Sequence, residues 1–176
     1  MAEKRVLAHD WFSGPLPENV EIGERTWLYS SFAFLHYRSR RGVRIGHNSG
    51  LYAGTFFDLG PEGEVSIGNY CALVGAIISS NKRVVIGDYA FISHEVVIAD
   101  SWIAQPVGAQ TTVAVEGEIS VEIGPNAWIG AGAILLAGAK IGEGAIVGAQ
   151  TLVNFTVPDF AIVAGNPAQI KGYAKG

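Results

Sequence analysis

Residues 123–157 read IGPNAW IGAGAI LLAGAK IGEGAI VGAQTL VNFTV, five complete six-residue frames and the first five residues of a sixth, without a slip. Each frame opens on an aliphatic residue, and a small or β-branched residue follows four positions later. The same frame recurs upstream, for example at Ile45-Gly46 and Ile67-Gly68. A spacing of four and then two fits no helix face, but it fits short strands joined by tight corners. The repeat therefore predicts strands whose aliphatic side chains point into one shared core.

Three frames would close one triangular coil of about 18 residues. Counted from Ile22 to Ile141, successive coils start 23, 22, 19, 37 and 18 residues apart. The 37-residue step is one coil plus a 19-residue insertion, or two coils plus one residue. Residues 99–118 keep the frame poorly, so we favour a protruding loop. The repetition of Val107-Gly-Ala-Gln-Thr111 as Val147-Gly-Ala-Gln-Thr151 leaves an additional coil open.

The predicted fold is an all-β parallel solenoid in which each coil stacks on its neighbours. We expect a single domain over residues 1–176, with coils at 22–98 and 119–157. Bare ends of a solenoid expose unpaired strand edges, so caps are expected. Residues 1–21 would form the N-terminal cap and residues 158–176 the C-terminal cap.

Composition excludes several classes of protein. Charged residues make up only 16% of the chain, 23 residues are glycine, and 49% are hydrophobic, which excludes a disordered chain. The single Cys71 excludes an internal disulfide and a multi-cysteine zinc site. The net charge of −4 argues against broad nucleic-acid binding. Without an apolar run of membrane-spanning length or an evident signal segment, we expect a cytoplasmic protein that does not enter membranes.

Four motifs resemble the C-terminal half of the hexapeptide-repeat acyltransferases, which include the maltose, galactoside, serine and xenobiotic acetyltransferases. They are Trp128-Ile-Gly-Ala-Gly-Ala133, Ile141-Gly-Glu-Gly-Ala145, Val147-Gly-Ala-Gln-Thr151 and Ala161-Ile-Val-Ala-Gly-Asn-Pro-Ala168. The resemblance implies a left-handed parallel β-helix with an extended loop and a short C-terminal cap. It also implies a homotrimer with acetyl-CoA as cosubstrate in a cleft between subunits, and no metal. The expected reaction moves an acetyl group to a hydroxyl or amine of a small acceptor, expected to be a sugar.

Acyl transfer needs a base for the acceptor's proton, and histidine is the usual choice because its pKa lies near 7. His94 is third in its frame, Ile92-Ser-His-Glu-Val96, directly before the predicted loop, as in the serine acetyltransferases that it resembles. Glu95 and Asp100 are the nearby acids that could orient its imidazole. Many sugar acetyltransferases of the family instead carry the histidine inside the loop. Here the loop reads Trp102-Ile-Ala-Gln-Pro106 without one, so the base is His94 or is absent.

The other three histidines are weaker candidates. His47 is also third in a frame, but the frame count places it on a different strip of the prism from His94. His36 lies in the period-two segment Phe32–Arg38, which predicts a strand and a structural or substrate-lining role. His9 precedes the repeat and is expected at the surface.

By resemblance, the pantetheine arm of the coenzyme would pass Gly130, Ala131, Gly148 and Ala149, whose small size allows close approach. Cations for its phosphates are scarce late in the chain, and Lys171 is our candidate. Trp102 in the loop is the candidate for stacking on a sugar acceptor or on the adenine ring, although a plug at the subunit interface would explain it equally.

Arg38, Arg40, Arg41 and Arg44 form a cluster that would suit an anionic acceptor or the coenzyme phosphates. A solvated edge that discourages strand association explains the same cluster, and we favour this interpretation.

Two other functions remain open. A catalytically inactive trimeric scaffold would explain the missing loop histidine, because a fold alone does not establish activity. A γ-type carbonic anhydrase shares the left-handed helix, but it needs three zinc-binding histidines, two of them close in sequence. No two histidines here lie within ten residues of each other, so this function is less favoured.

Overall fold

The computed structural model describes residues 5–100 and 120–174, and these residues form a solenoid of short strands. The first coil contains β1 (Val20–Ile22), β2 (Trp27–Leu28) and a 3₁₀ helix (Ser31–Phe34). Five three-stranded coils follow. The second coil contains β3 (Gly42–Ile45), β4 (Gly50–Leu51) and β5 (Phe56–Leu59), and the third contains β6 (Glu64–Ile67), β7 (Ala72–Leu73) and β8 (Ile77–Ser80). The fourth contains β9 (Arg83–Ile86), β10 (Phe91–Ile92) and β11 (Val97–Ala99), the fifth β12 (Val121–Ile123), β13 (Trp128–Ile129) and β14 (Ile134–Leu136), and the sixth β15 (Lys140–Ile141), β16 (Ile146–Val147) and β17 (Leu152–Val153). The chain then continues through β18 (Thr156–Val157), β19 (Ala161–Ala164) and β20 (Gln169–Tyr173).

The strands stack into three sheets, one on each side of the prism. Sheet A has the order β1-β3-β6-β9-β12-β15-β18, sheet B the order β2-β4-β7-β10-β13-β16-β19-β20, and sheet C the order β17-β14-β11-β8-β5. All neighbours are parallel except β19 and β20, which form an antiparallel pair at the C-terminal end. The predicted all-β parallel solenoid is therefore confirmed.

The six-residue frame sets the register in which strands of successive coils pair. In sheet A the aliphatic residues that open the frames pair directly, from Ile45 to Ile67 and onward to Ile141. These side chains are at most 3% exposed. Burying one aliphatic side chain contributes about 1.5–3 kcal/mol, so the ladders on the three sheets provide the main stabilising term. Each ladder extends through coils that contact only their neighbours, as expected of a solenoid.

The strand pairing excludes an extra coil between β9 and β12 in the stack. Strand β9 pairs directly with β12, with Val84 opposite Val121 and Ile86 opposite Ile123. Strand β11 likewise pairs directly with β14. No coil can lie between two strands that hydrogen-bond to each other, so the stack contains no additional coil at this point. Beyond Asp100, the predicted loop over 99–118 lies outside the described residues.

The segment Phe32–Arg38 does not form the strand that its period-two pattern predicted. It begins in the 3₁₀ helix, whose N-cap Ser30 has an extended backbone and accepts a hydrogen bond from the Phe32 amide at 3.1 Å. The Asp10 carboxylate also accepts a bond from the Ser31 amide at 2.9 Å. These two caps favour the helical turn over a strand because they satisfy amides at its start.

No helix in the part of the chain that the structure describes is long and apolar enough to cross a membrane.

Candidate functional site

His94 lies at a corner of the prism, between β10 in sheet B and β11 in sheet C, an edge that we call the B–C edge. Its side chain is exposed, whereas its backbone is held by the coil that follows. The Gly132 amide donates a 2.8 Å hydrogen bond to the His94 carbonyl, and the Glu95 amide donates to the Gly75 carbonyl at 3.1 Å. Glu95 adopts φ +57°, the left-handed corner conformation. The corner therefore presents an imidazole and a carboxylate side by side to solvent.

An open groove of about 270 Å³ lies on the same edge, in the two coils that follow His94. It is lined by Ser93, Trp128, Gly130, Ala131, Ile146, Val147, Gly148 and Ala149. All four small residues proposed for the pantetheine arm thus lie together in one groove. Ser93, the residue before His94, lies in the same lining. The repeat explains this proximity, because equivalent positions of successive frames stack along one edge.

Coil packing requires glycine at position 130, because the next coil lies directly against it. A β-carbon at Gly130 would lie 2.6 Å from the Ala149 nitrogen, closer than atoms approach without a shift of the backbone. Ala131 and Ala149, one residue further along their frames, are exposed and leave the groove shallow. The glycine is therefore explained by coil packing, and the alanines set the depth of the groove.

Trp128 forms one wall of the groove, a role that the sequence alone did not indicate. Its side chain is 53% exposed, and its ring meets that of Phe91 edge to face, with the centroids 6.2 Å apart. Both residues precede the buried aliphatic position of their strands, so the alternation of strand residues turns them outward. An aromatic residue at an outward-facing frame position could have marked Trp128 as a candidate. The frame alone, however, does not show which outward-facing residues border a groove.

Asp100 has a different set of partners from the one predicted. Its carboxylate accepts hydrogen bonds from the Ser80 hydroxyl at 2.6 Å and from the amides of Asn81, Lys82 and Arg83 at 2.8, 2.9 and 2.8 Å. The side chain is 1% exposed. These bonds tie Asp100 to the turn between β8 and β9 rather than to His94. Glu95 directly follows His94 in the chain and is exposed at the same corner.

Lys171 lies in β20, the last strand of sheet B, and its side chain is exposed. Its Nζ donates a 3.0 Å hydrogen bond to Oε1 of Gln169. Strand β19 separates β20 from β16, whose residues line the groove. Lys171 therefore shares a sheet with the groove, two strands away. Trp102 lies outside the described residues.

The remaining histidines lie away from the groove. Nδ1 of His47 accepts a 3.0 Å hydrogen bond from the Glu24 amide, at the corner between sheets A and B. The ring of His9 stacks on Trp27 with the centroids 4.1 Å apart, and His36 packs edge to face on Phe56. His47 thus lies on a different edge from His94, and its ring nitrogen holds the neighbouring coil.

Three of the four clustered arginines are paired with glutamates of neighbouring coils. Arg40 and Arg41 contact Glu62 at 3.0 and 3.2 Å, and Arg44 contacts Glu64 at 3.0 Å. All three arginine side chains are more than half exposed, so each pair contributes at most about 1 kcal/mol. This arrangement favours a solvated edge over an anion site.

Among residues 5–100 and 120–174, no three His, Cys, Asp or Glu side chains are grouped as metal ligands would be.

The comparisons with known proteins agree with this architecture. The family model "Bacterial transferase hexapeptide (six repeats)" matches residues 120–154. No curated protein matches the chain. A hexapeptide transferase family protein from Anaplasma phagocytophilum has a similar structure, with 18% identity, a TM-score of 0.65, and coverage of 89% of this chain and 80% of its own.

Two further solved structures contain bound molecules. A variant of AntD, an N-acyltransferase from Bacillus cereus in complex with dTDP and coenzyme A, is 22% identical over 90% of this chain and 83% of its own, with a TM-score of 0.63. The hexapeptide-repeat-containing acetyltransferase VCA0836 from Vibrio cholerae O1 biovar eltor, complexed with acetyl coenzyme A, is 24% identical over 75% of this chain and 71% of its own, with a TM-score of 0.62. At these identities the likeness establishes a shared fold. The resemblance to hexapeptide-repeat proteins is thus confirmed: residues 120–154 carry the repeats of the bacterial transferase hexapeptide family, and the chain folds as a left-handed parallel β-helix.

Proposed function

We propose that the protein is an acyltransferase that moves an acetyl group from acetyl-CoA to a hydroxyl or amine of a small, sugar-like acceptor. The observation that carries the proposal is that Ser93, the residue before the exposed His94, lines a groove of small residues on the B–C edge. Proteins of the same fold provide further support, because AntD was solved with dTDP and coenzyme A, and VCA0836 with acetyl coenzyme A.

The groove suits the narrow, flexible arm of coenzyme A. Gly130, Ala131, Gly148 and Ala149 carry no long side chain, so a slender ligand can lie close to the backbone along this part of the groove. Trp128 offers an apolar wall on one side. We place the phosphates towards Lys171, because phosphate groups need cationic or amide donors. The cosubstrate supplies an acyl group activated as a thioester.

His94 is the proposed general base. An exposed imidazole can accept the proton of the acceptor's hydroxyl or amine as that atom attacks the acyl carbon. Its ring can afterwards return a proton to the departing thiolate. Glu95 is the residue we propose to orient the ring, because it follows His94 at the same corner. The sequence suggested Asp100 as a second acid that could orient the ring. We propose instead that Asp100 fixes the chain at the end of β11 by its hydrogen bonds to residues 80–83.

The quaternary structure and location follow the resemblance. We propose a homotrimer in which the groove faces a neighbouring subunit, since Phe91 and Trp128 expose apolar area beside it. We propose that it acts in the cytoplasm, with no metal in the reaction. Light scattering of the purified protein would measure the subunit count, and a monomer with full activity would contradict the trimer.

The direct test combines binding with turnover. Calorimetric titration with coenzyme A should show one site for each subunit, and a thiol reagent should detect acceptor-dependent release of coenzyme A from acetyl-CoA. A panel of amino sugars and hydroxylated sugars would distinguish N- from O-acylation. A protein that neither binds coenzyme A nor raises its own melting temperature in the presence of the coenzyme would contradict the proposal, because a ligand of the native state stabilises it.

A further inference from the structure

A second pocket opens further up the B–C edge, two coils before His94. It has a volume of about 230 Å³ and lies between the first and second coils and the N-terminal segment. Five aromatic side chains contribute to its lining: Trp11, Tyr29, Phe32, Tyr52 and Phe56. Pockets that hold a whole ligand usually measure about 300–1,000 Å³. This one, which we call the aromatic pocket, is therefore of a size to hold part of a ligand.

The aromatic rings are arranged as a connected wall. The Phe32 ring lies 5.5 Å from that of Trp11 and 5.8 Å from that of Phe56, measured between centroids. The rings come from three separate parts of the chain, namely the N-terminal segment, the 3₁₀ helix and β5. Despite this packing, Trp11 stays 64% exposed and Phe32 36% exposed. Such an exposed aromatic surface is energetically costly in water unless another apolar group covers it.

The buried carboxylate of Asp10 links two of the segments that form the aromatic pocket. Asp10 accepts hydrogen bonds from the Phe12 amide at 3.0 Å, from the Ser30 hydroxyl at 2.6 Å, and from both the amide and the hydroxyl of Ser31. These bonds join the segment that carries Trp11 to the turn that carries Phe32. The aromatic wall is therefore fixed before any ligand arrives, which lowers the entropic cost of binding.

Two hydroxyls of the pocket lining are engaged within the protein, and the lining also contains the hydroxyls of Tyr29 and Tyr52. The Thr55 hydroxyl donates to the Leu73 carbonyl at 3.1 Å, and the Ser30 hydroxyl donates to Asp10. No residue of the lining carries a charge. A charged group would lose its hydration here without an opposite charge to compensate it. An uncharged planar ring, which can stack on the aromatic side chains, suits this lining.

The aromatic pocket and His94 lie along the same edge of the prism, at corners of coils that are two apart. Gly54 lines the pocket at φ +85°, and a β-carbon built on it would lie 3.1 Å from the α-carbon of Gly75 in the next coil. Gly75, at φ +68°, in turn accepts the hydrogen bond from the Glu95 amide. Coils are spaced by the distance between paired strands, so the pocket and His94 are about 10 Å apart along the edge.

We propose that the aromatic pocket binds an uncharged aromatic ring of the acyl acceptor, about 10 Å from the atom that is acylated. This inference rests on the proposed function, because it takes His94 as the reacting end of the acceptor's path. The ring sets specificity, and the linking part of the molecule would run along the B–C edge from the pocket towards His94.

The test compares 4-nitrophenyl β-galactoside with methyl β-galactoside, which differ only in the ring. Saturation-transfer NMR should show contact to the nitrophenyl protons, and the aryl glycoside should bind about tenfold more tightly. Trp11→Ala and Phe32→Ala should each remove most of this preference. Tyr89→Ala is the matched control, since Tyr89 is an exposed aromatic residue on another edge and should leave binding unchanged. Circular dichroism would verify that each variant is folded, and Tyr52→Ala provides a third pocket variant.

The outcomes separate the two proposals. Equal binding of both glycosides, or aryl binding that survives all three pocket substitutions, would overturn the aromatic pocket as a ring site. A protein that acetylates both glycosides with equal kcat/KM would also overturn it while leaving the acyltransferase function intact. A protein that fails to bind coenzyme A but binds the aryl glycoside through Trp11 would refute the proposed function and support the ring site.

Discussion

His94 and Gly132 occupy adjacent coils of one edge, and the Gly132 amide donates a 2.8 Å hydrogen bond to the His94 carbonyl. This bond belongs to the backbone and does not depend on the imidazole. The histidine side chain can therefore be changed without removing the contact between the coils, so its chemical role can be tested separately from its structural one.

We expect His94→Gln to lower kcat by at least about 100-fold, the usual effect of removing a general base, with the Kd for coenzyme A unchanged. His47→Gln is the matched control. Its side-chain oxygen can still accept the bond from the Glu24 amide, so folding and activity should both persist. Steady-state kinetics with acetyl-CoA would measure both. A fall in kcat of less than threefold in the His94 variant would remove this residue from the mechanism.

Filling the groove should abolish coenzyme binding without unfolding the protein. Ala149 is exposed on the groove floor, so Ala149→Leu adds apolar volume where the arm of the coenzyme is proposed to lie. We expect the Kd for coenzyme A to rise at least about tenfold, which corresponds to about 1.4 kcal/mol. Ala8→Leu makes the same change at an exposed position outside the groove and should leave the Kd unaltered. Calorimetric titration would compare the two, and an unchanged Kd in Ala149→Leu would place the coenzyme elsewhere.

Asp100→Asn should reduce stability because the carboxylate accepts four hydrogen bonds from the turn at Ser80–Arg83. An amide side chain has one oxygen to accept them, and its NH₂ group would face backbone donors. Leaving such buried groups unpaired costs about 1–3 kcal/mol in the free energy of unfolding. Urea denaturation would measure this loss. Asp58→Asn, at an exposed position in β5, is the control and should change stability little. Equal stabilities of the two variants would contradict the anchoring role.

The sequence predicted the coils well because a solenoid's contacts are local and periodic. The spacing of Ile123, Ile129 and Leu135 directly specifies one residue for each of the three sheets. The same periodicity brought Gly130 and Gly148 together, since equivalent frame positions stack. The fold could therefore be predicted from a pattern that needs no long-range information.

Features outside the repeat could not be predicted in this way. The 3₁₀ helix at Ser31–Phe34 depends on the Asp10 carboxylate, 20 residues earlier in the chain, and no frame links these positions. Asp100 was grouped with His94 because of proximity in sequence, but its partners lie one coil back, at residues 80–83. Proximity along the chain is a poor guide here because a coil of about 18 residues brings a different segment closer.

The final prediction concerns acid stability and the aromatic pocket. Burial alone would raise the pKa of Asp10, but hydrogen bonds from Ser30, Ser31 and Phe12 outweigh it and hold the pKa well below its ordinary value of about 3.9. Because the folded state keeps this carboxylate ionised, the resulting stability is present above about pH 4 and is lost as the pH falls from there towards the lower folded pKa.

Asp10→Asn should therefore lower the free energy of unfolding at pH 7 and weaken its decline between about pH 4 and pH 2. Urea denaturation at a series of pH values would measure both effects. Glu18→Gln, at an exposed position in the same N-terminal segment, is the control and should leave the acid dependence as it is in the unaltered protein. If Asp10→Asn instead retained the full acid dependence, the carboxylate would not be the group that holds Trp11 against the 3₁₀ helix in its ionised form.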